Sequence, residues 1–178
     1  AGTLAFDFNY APNGEPAKRR YSRSRVDLRA RRAVQEELGE GADAKLGWDG
    51  TNAWITPSED AFPSDPRFWA TTPFYFVGIP WVLADPGANA ERLPDTVVPG
   101  AAVEGPLPTV KITYDDGTGD APDDFYVLHL HPETKAVLAL RYIVSFPDYF
   151  PDGGHSPEKL FIWSEPVEVE GLVFATRY

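Results

Sequence analysis

The chain has no cysteine and no methionine among its 178 residues, and only three histidines. Without cysteine there are no disulfides, no thiol nucleophile and no thiolate metal site. A translated chain begins with methionine, so its absence reads as an N-terminus that was processed or trimmed, a signal peptide being one segment that could have been removed. No apolar run approaches the roughly 18 residues that span a bilayer as a helix. Positive charge is scarce: 16 Lys and Arg stand against 27 Asp and Glu, a formal net charge of −11. An acidic surface repels phosphate backbones and anionic bilayers, which argues against nucleic acid as a partner. The nucleophile elbow Gly-x-Ser-x-Gly and the phosphate-binding glycine loop are missing too, so no catalytic residues are assigned and an enzyme is disfavoured.

What is present points to a β protein. Aromatics reach 13% and prolines number 18, a mixture that suits strands and tight turns better than long helices. The length fits one domain, 1–178, burying roughly 70% of the surface its unfolded form exposes. Leu4, Phe6 and Phe8 alternate with polar neighbours, the period of a half-buried strand. Pro12-Asn13-Gly14 supplies a turn. Tyr21–Leu28 and Val34–Leu38 continue as strands with polar outer faces. Trp48-Asp49-Gly50 marks the turn of a hairpin over Leu46–Thr56, because Asp-Gly between apolar runs favours positive φ. Pro94–Pro108, with four prolines, reads as an exposed, mobile loop. Beyond it, Val110, Ile112 and Tyr114 alternate, Phe125–His131 pairs with Ala136–Phe146, and Lys159–Val167 pairs with Leu172–Tyr178 across Glu170-Gly171.

One insert breaks the strand pattern. Asp65-Pro66 and Thr72-Pro73 each place a capping residue before a proline, predicting two helix starts between Pro66 and Leu83. Phe74, Val77 and Trp81 fall at i, i+3 and i+7, one face of a helix interrupted by Gly78 and Pro80. The expected result is two or three short helical pieces lying on an antiparallel sheet. Phe68, Trp69, Phe74, Phe76, Val77 and Trp81 exceed what one buried stripe requires. They either pack a closed core or line an apolar cavity for a ligand.

Three other features could carry chemistry. Eight of the sixteen basic residues fall between Lys18 and Arg32, which is either an anion patch or a solvated hairpin face. Five carboxylates and two glycines lie between Asp115 and Asp124. Asp116, Asp120, Asp123 and Asp124 are candidate calcium ligands, although the spacing departs from the twelve-residue calcium loop; an exposed turn-rich loop is the alternative. His129 and His131 lie two apart on a predicted strand, projecting from one face. They could hold zinc with His155 or Glu133, or simply face solvent. No cofactor is implied.

Taken in order, Gly2-Thr3-Leu4-Ala5-Phe6-Asp7-Phe8, Trp48-Asp49-Gly50-Thr51-Asn52-Ala53-Trp54, Asp65-Pro66-Arg67-Phe68-Trp69, Phe74-Tyr75-Phe76-Val77-Gly78-Ile79-Pro80 and Asp120-Ala121-Pro122-Asp123-Asp124-Phe125-Tyr126-Val127-Leu128 make a familiar pattern. It resembles the superfamily of bacterial lipoprotein-localisation factors, LolA and LolB, with the mycobacterial LppX-type lipoproteins, and within it an uncharacterised envelope-protein family. The resemblance implies a half-barrel, a curved antiparallel sheet with helices on its concave face. It implies a periplasmic or cell-envelope location, a trimmed N-terminal helix, and a monomer that binds a lipid or lipoprotein acyl chain and meets a peripheral membrane-protein partner. It carries over no specific basic residue, and His131 stands at a turn where the related pattern often has Asp. The alternatives are a metal-binding module or enzyme and a structural domain with a closed core.

Overall fold

A computed structural model describes residues 2–11, 15–39, 43–116, 118, 121 and 123–178. The turn at Pro12-Asn13-Gly14 and the candidate ligand Asp120 lie outside the described residues. The chain is mainly β, with three antiparallel sheets and one α-helix among the described residues, in two units, Ala1–Gly78 and Ile79–Tyr178.

The first unit is a meander of five strands in sequence order: β1 (Thr3–Tyr10), β2 (Arg20–Asp27), β3 (Arg32–Glu37), β4 (Lys45–Trp48) and β5 (Ala53–Thr56). Hairpin chemistry sets two of the reversals, β2–β3 and β4–β5. The Asp27 carboxylate accepts the backbone N–H groups of Arg29 and Ala30, both at 2.9 Å. Asp49 does the same for Thr51 and Asn52 at 2.8 Å, and Gly50 takes φ 99° beside it. Each local acceptor replaces a ladder partner at the turn. On the outer face of β4, Gly47 lies directly opposite Trp54, whose indole covers it; a Cβ at Gly47 would stand 2.0 Å from that ring.

The helix α1 (Pro66–Gly78) packs against β4 and β5 and touches β2 and β3. Asp65 caps it, its Oδ1 accepting the Phe68 N–H at 2.6 Å, and Pro66 occupies the first turn, where no N–H is needed. The expected second start at Thr72-Pro73 does not occur. Pro73 is buried inside one continuous helix of thirteen residues. The Thr71 hydroxyl donates to the Arg67 carbonyl at 3.0 Å and Thr72 to the Phe68 carbonyl at 2.7 Å, whereas the carbonyl from which Pro73 withholds an N–H is that of Trp69. Trp81 is not on this helix; it follows Gly78 and Pro80 in a separate 3-10 turn, Trp81–Ala84, in the second unit. The first core gathers Ala44, Leu46, Phe62 and Ala70, with Trp48, Ile55 and Trp69 packed on it.

The second unit holds a sheet in the order β10-β9-β8-β7-β6: β6 (Ala88–Val97), β7 (Pro106–Tyr114), β8 (Tyr126–Leu130), β9 (Val137–Tyr142) and β10 (Lys159–Ile162). A separate hairpin, β11 (Ser164–Val169) and β12 (Leu172–Arg177), turns through Glu170 at φ 51° and Gly171 at φ 82°. Two residues with positive φ form the turn whose twist matches paired strands.

The exposed loop expected over Pro94–Pro108 is strand at its two ends, 94–97 and 106–108, with residues 98–105 between them outside any strand. β6 runs through Pro94, β7 begins at Pro106, and Leu107 is completely buried against Val98 and Ala139. The prolines are accommodated because the β6–β7 register slips between Leu93 and Thr96, and β7 pairs with β8 only from Thr109 onward. Pro94 sits on an edge strand at that slip and Pro108 opposite it, where no ladder N–H is required.

Candidate functional site

β2 does not alternate apolar with polar as a core strand does. Its inward positions are Arg20, Ser22, Ser24 and Val26, while Arg23 and Arg25 point outward. The inward positions of β3 are Ala33, Gln35 and Glu37. The register sets Ser22 opposite Glu37 and Ser24 opposite Gln35, so Arg20 and Glu37 are diagonal neighbours on one face. Arg20 Nη2 donates to Glu37 Oε1 at 2.8 Å, with side chains only 18% and 12% exposed. Gln35 Nε2 donates to the same oxygen at 2.7 Å.

The flat faces of the Arg20 guanidinium are covered as well. Its central carbon lies 4.0 Å from the Phe62 ring centre and 3.9 Å from that of Trp69. Tyr10 meets Trp69 at 6.1 Å between ring centres. Around this stack opens a groove of about 520 Å³. Tyr10, Ala44, Ala61, Phe62, Pro63 and Trp69 supply its apolar lining, and Lys18, Arg19, Arg20, Glu37, Asp43 and Ser64 its polar lining. The volume lies within the range of small-ligand sites, roughly 300–1,000 Å³.

The insert residues distribute unevenly around this groove. Trp69 lines it. Phe68 packs edge-on against Trp69 at 5.5 Å but does not line the groove, and Phe76 is buried. Phe74 and Val77 are half-buried on α1 without lining it. Trp81, in the other unit, packs against Phe174 at 5.1 Å. The basic run divides by strand face. Arg23 binds Asp7 through two hydrogen bonds on the exposed side, holding that carboxyl below its ordinary range, whereas Arg20 turns inward to the aromatic stack. The inward arginine and glutamate carry no local motif; the detectable signal is polar residues at both strands' inward positions.

The two histidines sit in different surroundings. His129 is fully buried on the central strand β8. His131 lies just beyond that strand, where its Nδ1 accepts the N–H groups of Glu133 and Thr134 at 3.1 and 3.2 Å. The register with β9 slips beside them, with Leu138 of β9 as the extra residue. Both ring nitrogens of His129 are engaged. Arg141 Nε donates to Nε2 at 3.1 Å, and Nδ1 lies 3.0 Å from Thr109 Oγ1, whose own proton goes to the Leu107 carbonyl. The network assigns the neutral tautomer with hydrogen on Nδ1. Burial, and then the Arg141 charge, lower its pKa below the ordinary histidine value. Neither the zinc pairing nor the solvent-facing reading describes His129.

The acidic loop is likewise dispersed. Asp116 and Asp123 are exposed. Asp124 is half-buried and accepts both the backbone N–H and the hydroxyl of Ser145, at 2.5 and 2.8 Å; burial raises its pKa. Among the described residues no group of three or more His, Asp or Glu side chains is placed to hold a metal ion. Nor is any helix among them long and apolar enough to cross a membrane. In comparisons with known proteins, no family model, curated protein or solved structure matches the chain.

Proposed function

We propose that this chain is a non-enzymatic cell-envelope protein, periplasmic in location, that binds a lipid or the acyl chain of a lipoprotein in the groove beside α1. The observation that supports this reading is the groove itself: about 520 Å³, lined by the aromatic rings of Tyr10, Phe62 and Trp69 together with charged and polar side chains. An elongated apolar ligand with one polar end matches that mixed lining. The insert serves the site through Trp69 and α1, with Phe68 buttressing the indole. The resemblance to lipoprotein-localisation factors adds the envelope location and the carrier role. A metal-dependent module draws no comparable support from the described residues.

The test is native mass spectrometry of protein purified without detergent, together with uptake of an apolar naphthylamine probe. Co-purifying acyl species and saturable probe uptake are expected. Trp69→Ala is expected to weaken uptake roughly tenfold, the loss of about 1.4 kcal/mol of aromatic contact. A clean protein mass with no probe uptake would refute the carrier reading.

A further inference from the structure

The groove reading leaves open which polar end the ligand presents. The first observation is that the cationic groups of the lining are engaged. Arg20 lies against two rings and binds Glu37, Arg19 Nη1 donates to Asn9 Oδ1 at 2.9 Å, and Lys18 pairs with Glu15. The lining carries Lys18, Arg19 and Arg20 against Glu37 and Asp43, and Glu15, outside the lining, neutralises Lys18 through its ion pair. An anionic ligand therefore competes with partners these cations already hold.

The second observation is an excess of acceptors behind the stack. Glu37 Oε1 takes two hydrogen bonds, whereas Oε2 takes none from the described residues. Gln35 is 1% exposed. Its amide orientation is fixed, because a carboxylate only accepts and so demands the NH₂ end. That leaves Gln35 Oε1 buried with no partner. Ser24, its direct cross-strand neighbour and also 1% exposed, has a hydroxyl that is likewise unpartnered. Gln35 does not itself line the groove; it stands one hydrogen bond behind Glu37, which does. Gln35 Oε1 is a buried acceptor without a donor, and the Ser24 hydroxyl beside it can both donate and accept; polar groups left in this way are destabilising, and a group bringing hydrogen to Gln35 Oε1 completes them.

Resting on the groove reading, we infer that the polar end of the ligand is an uncharged hydrogen-bond donor, a hydroxyl or amide N–H, and not a carboxylate or phosphate. A carboxylate there would face Glu37 in a partly desolvated site, where like charges disfavour each other. A hydroxyl or amide donates to Glu37 Oε2 and, by displacing Glu37 slightly, reaches the acceptors behind it. Glu37 is thus the residue that determines headgroup specificity, with Gln35 as its positioning residue.

The experiment is isothermal titration of detergent-free protein with monodecanoylglycerol, decanoate and decyl phosphate at pH 8. The three share one chain length and differ in the head. Monodecanoylglycerol is expected to bind roughly tenfold or more tightly than either anion, as polar sites discriminate by their hydrogen bonds. Glu37→Gln, which removes the negative charge, is expected to narrow that gap through improved decanoate binding. Ser24→Ala, a small change that preserves the sheet, is expected to leave decanoate affinity unchanged and lower that of the monoglyceride. Equal or tighter binding of decanoate or decyl phosphate by the parent protein would overturn the headgroup assignment while preserving the groove. Binding of none of the three would overturn the groove reading and this inference with it.

Discussion

Replacing Arg20 by leucine removes the guanidinium from between Phe62 and Trp69 and leaves Glu37 without its cation. Breaking a buried ion pair from one side costs about 3–5 kcal/mol, because the remaining charge is stranded. Here the lower end applies. The pair keeps 18% and 12% side-chain exposure, Gln35 still donates to Glu37, and leucine retains apolar contact with the rings. The expected loss for Arg20→Leu is about 3 kcal/mol. Replacing both members, Arg20→Leu with Glu37→Leu, strands no charge. Its cost is mainly the Gln35 amide left without an acceptor, about 1 kcal/mol. The double variant should thus be more stable than the Arg20→Leu single variant by about 2 kcal/mol. Urea titration followed by far-UV circular dichroism measures this, with each transition fitted separately because the chain forms two units. A double variant no more stable than Arg20→Leu would show that Glu37 is not held by Arg20, and the argument about the groove's polar lining would fail with it.

Acidification should weaken the second unit through His129. Its pKa is lowered in the folded state by burial and Arg141, so the unfolded chain binds the proton more readily. That contribution is complete above the unfolded value near 6.5 and is lost as pH falls from there through the lowered folded value. His129→Gln should flatten this dependence in urea titrations across the window; an unchanged slope would contradict the assigned network. Glu170→Asn should stabilise the β11–β12 hairpin by about 0.5 to 1 kcal/mol, because asparagine tolerates the positive φ that glutamate is forced to adopt there. Amide exchange of the paired strands would report it, and faster exchange would contradict the turn assignment.

Strands flanked by strong turn chemistry were legible before the structure. Asp49-Gly50 and Glu170-Gly171 each encode their reversal locally, through a glycine that takes positive φ. Pro94–Pro108 reads as a loop from its four prolines, yet both of its ends pair. Proline excludes only the N–H bond, and at an edge strand with a slipped register that bond is not needed. The second helix start at Thr72-Pro73 is absent for a related reason: one missing N–H does not end the helix, and the burial of Pro73 in α1 is encoded by no local rule. His129 was opaque because Tyr126, Val127 and Leu128 are all buried with it, so a strand covered on both faces shows no alternation that would orient a histidine. The groove was half legible. Trp69 stood out as an aromatic, but its partners Arg20 and Glu37 come from strands read chiefly for their polar outer faces. Only the register between β2 and β3 brings that pair together.

The covering of Gly47 by Trp54 has a consequence for how this sequence can diverge. While the indole occupies that space, any side chain at position 47 collides with it, whatever its chemistry. A side chain at 47 therefore requires the indole of Trp54 either to swing off the strand or to be replaced, so the two positions vary together and not independently.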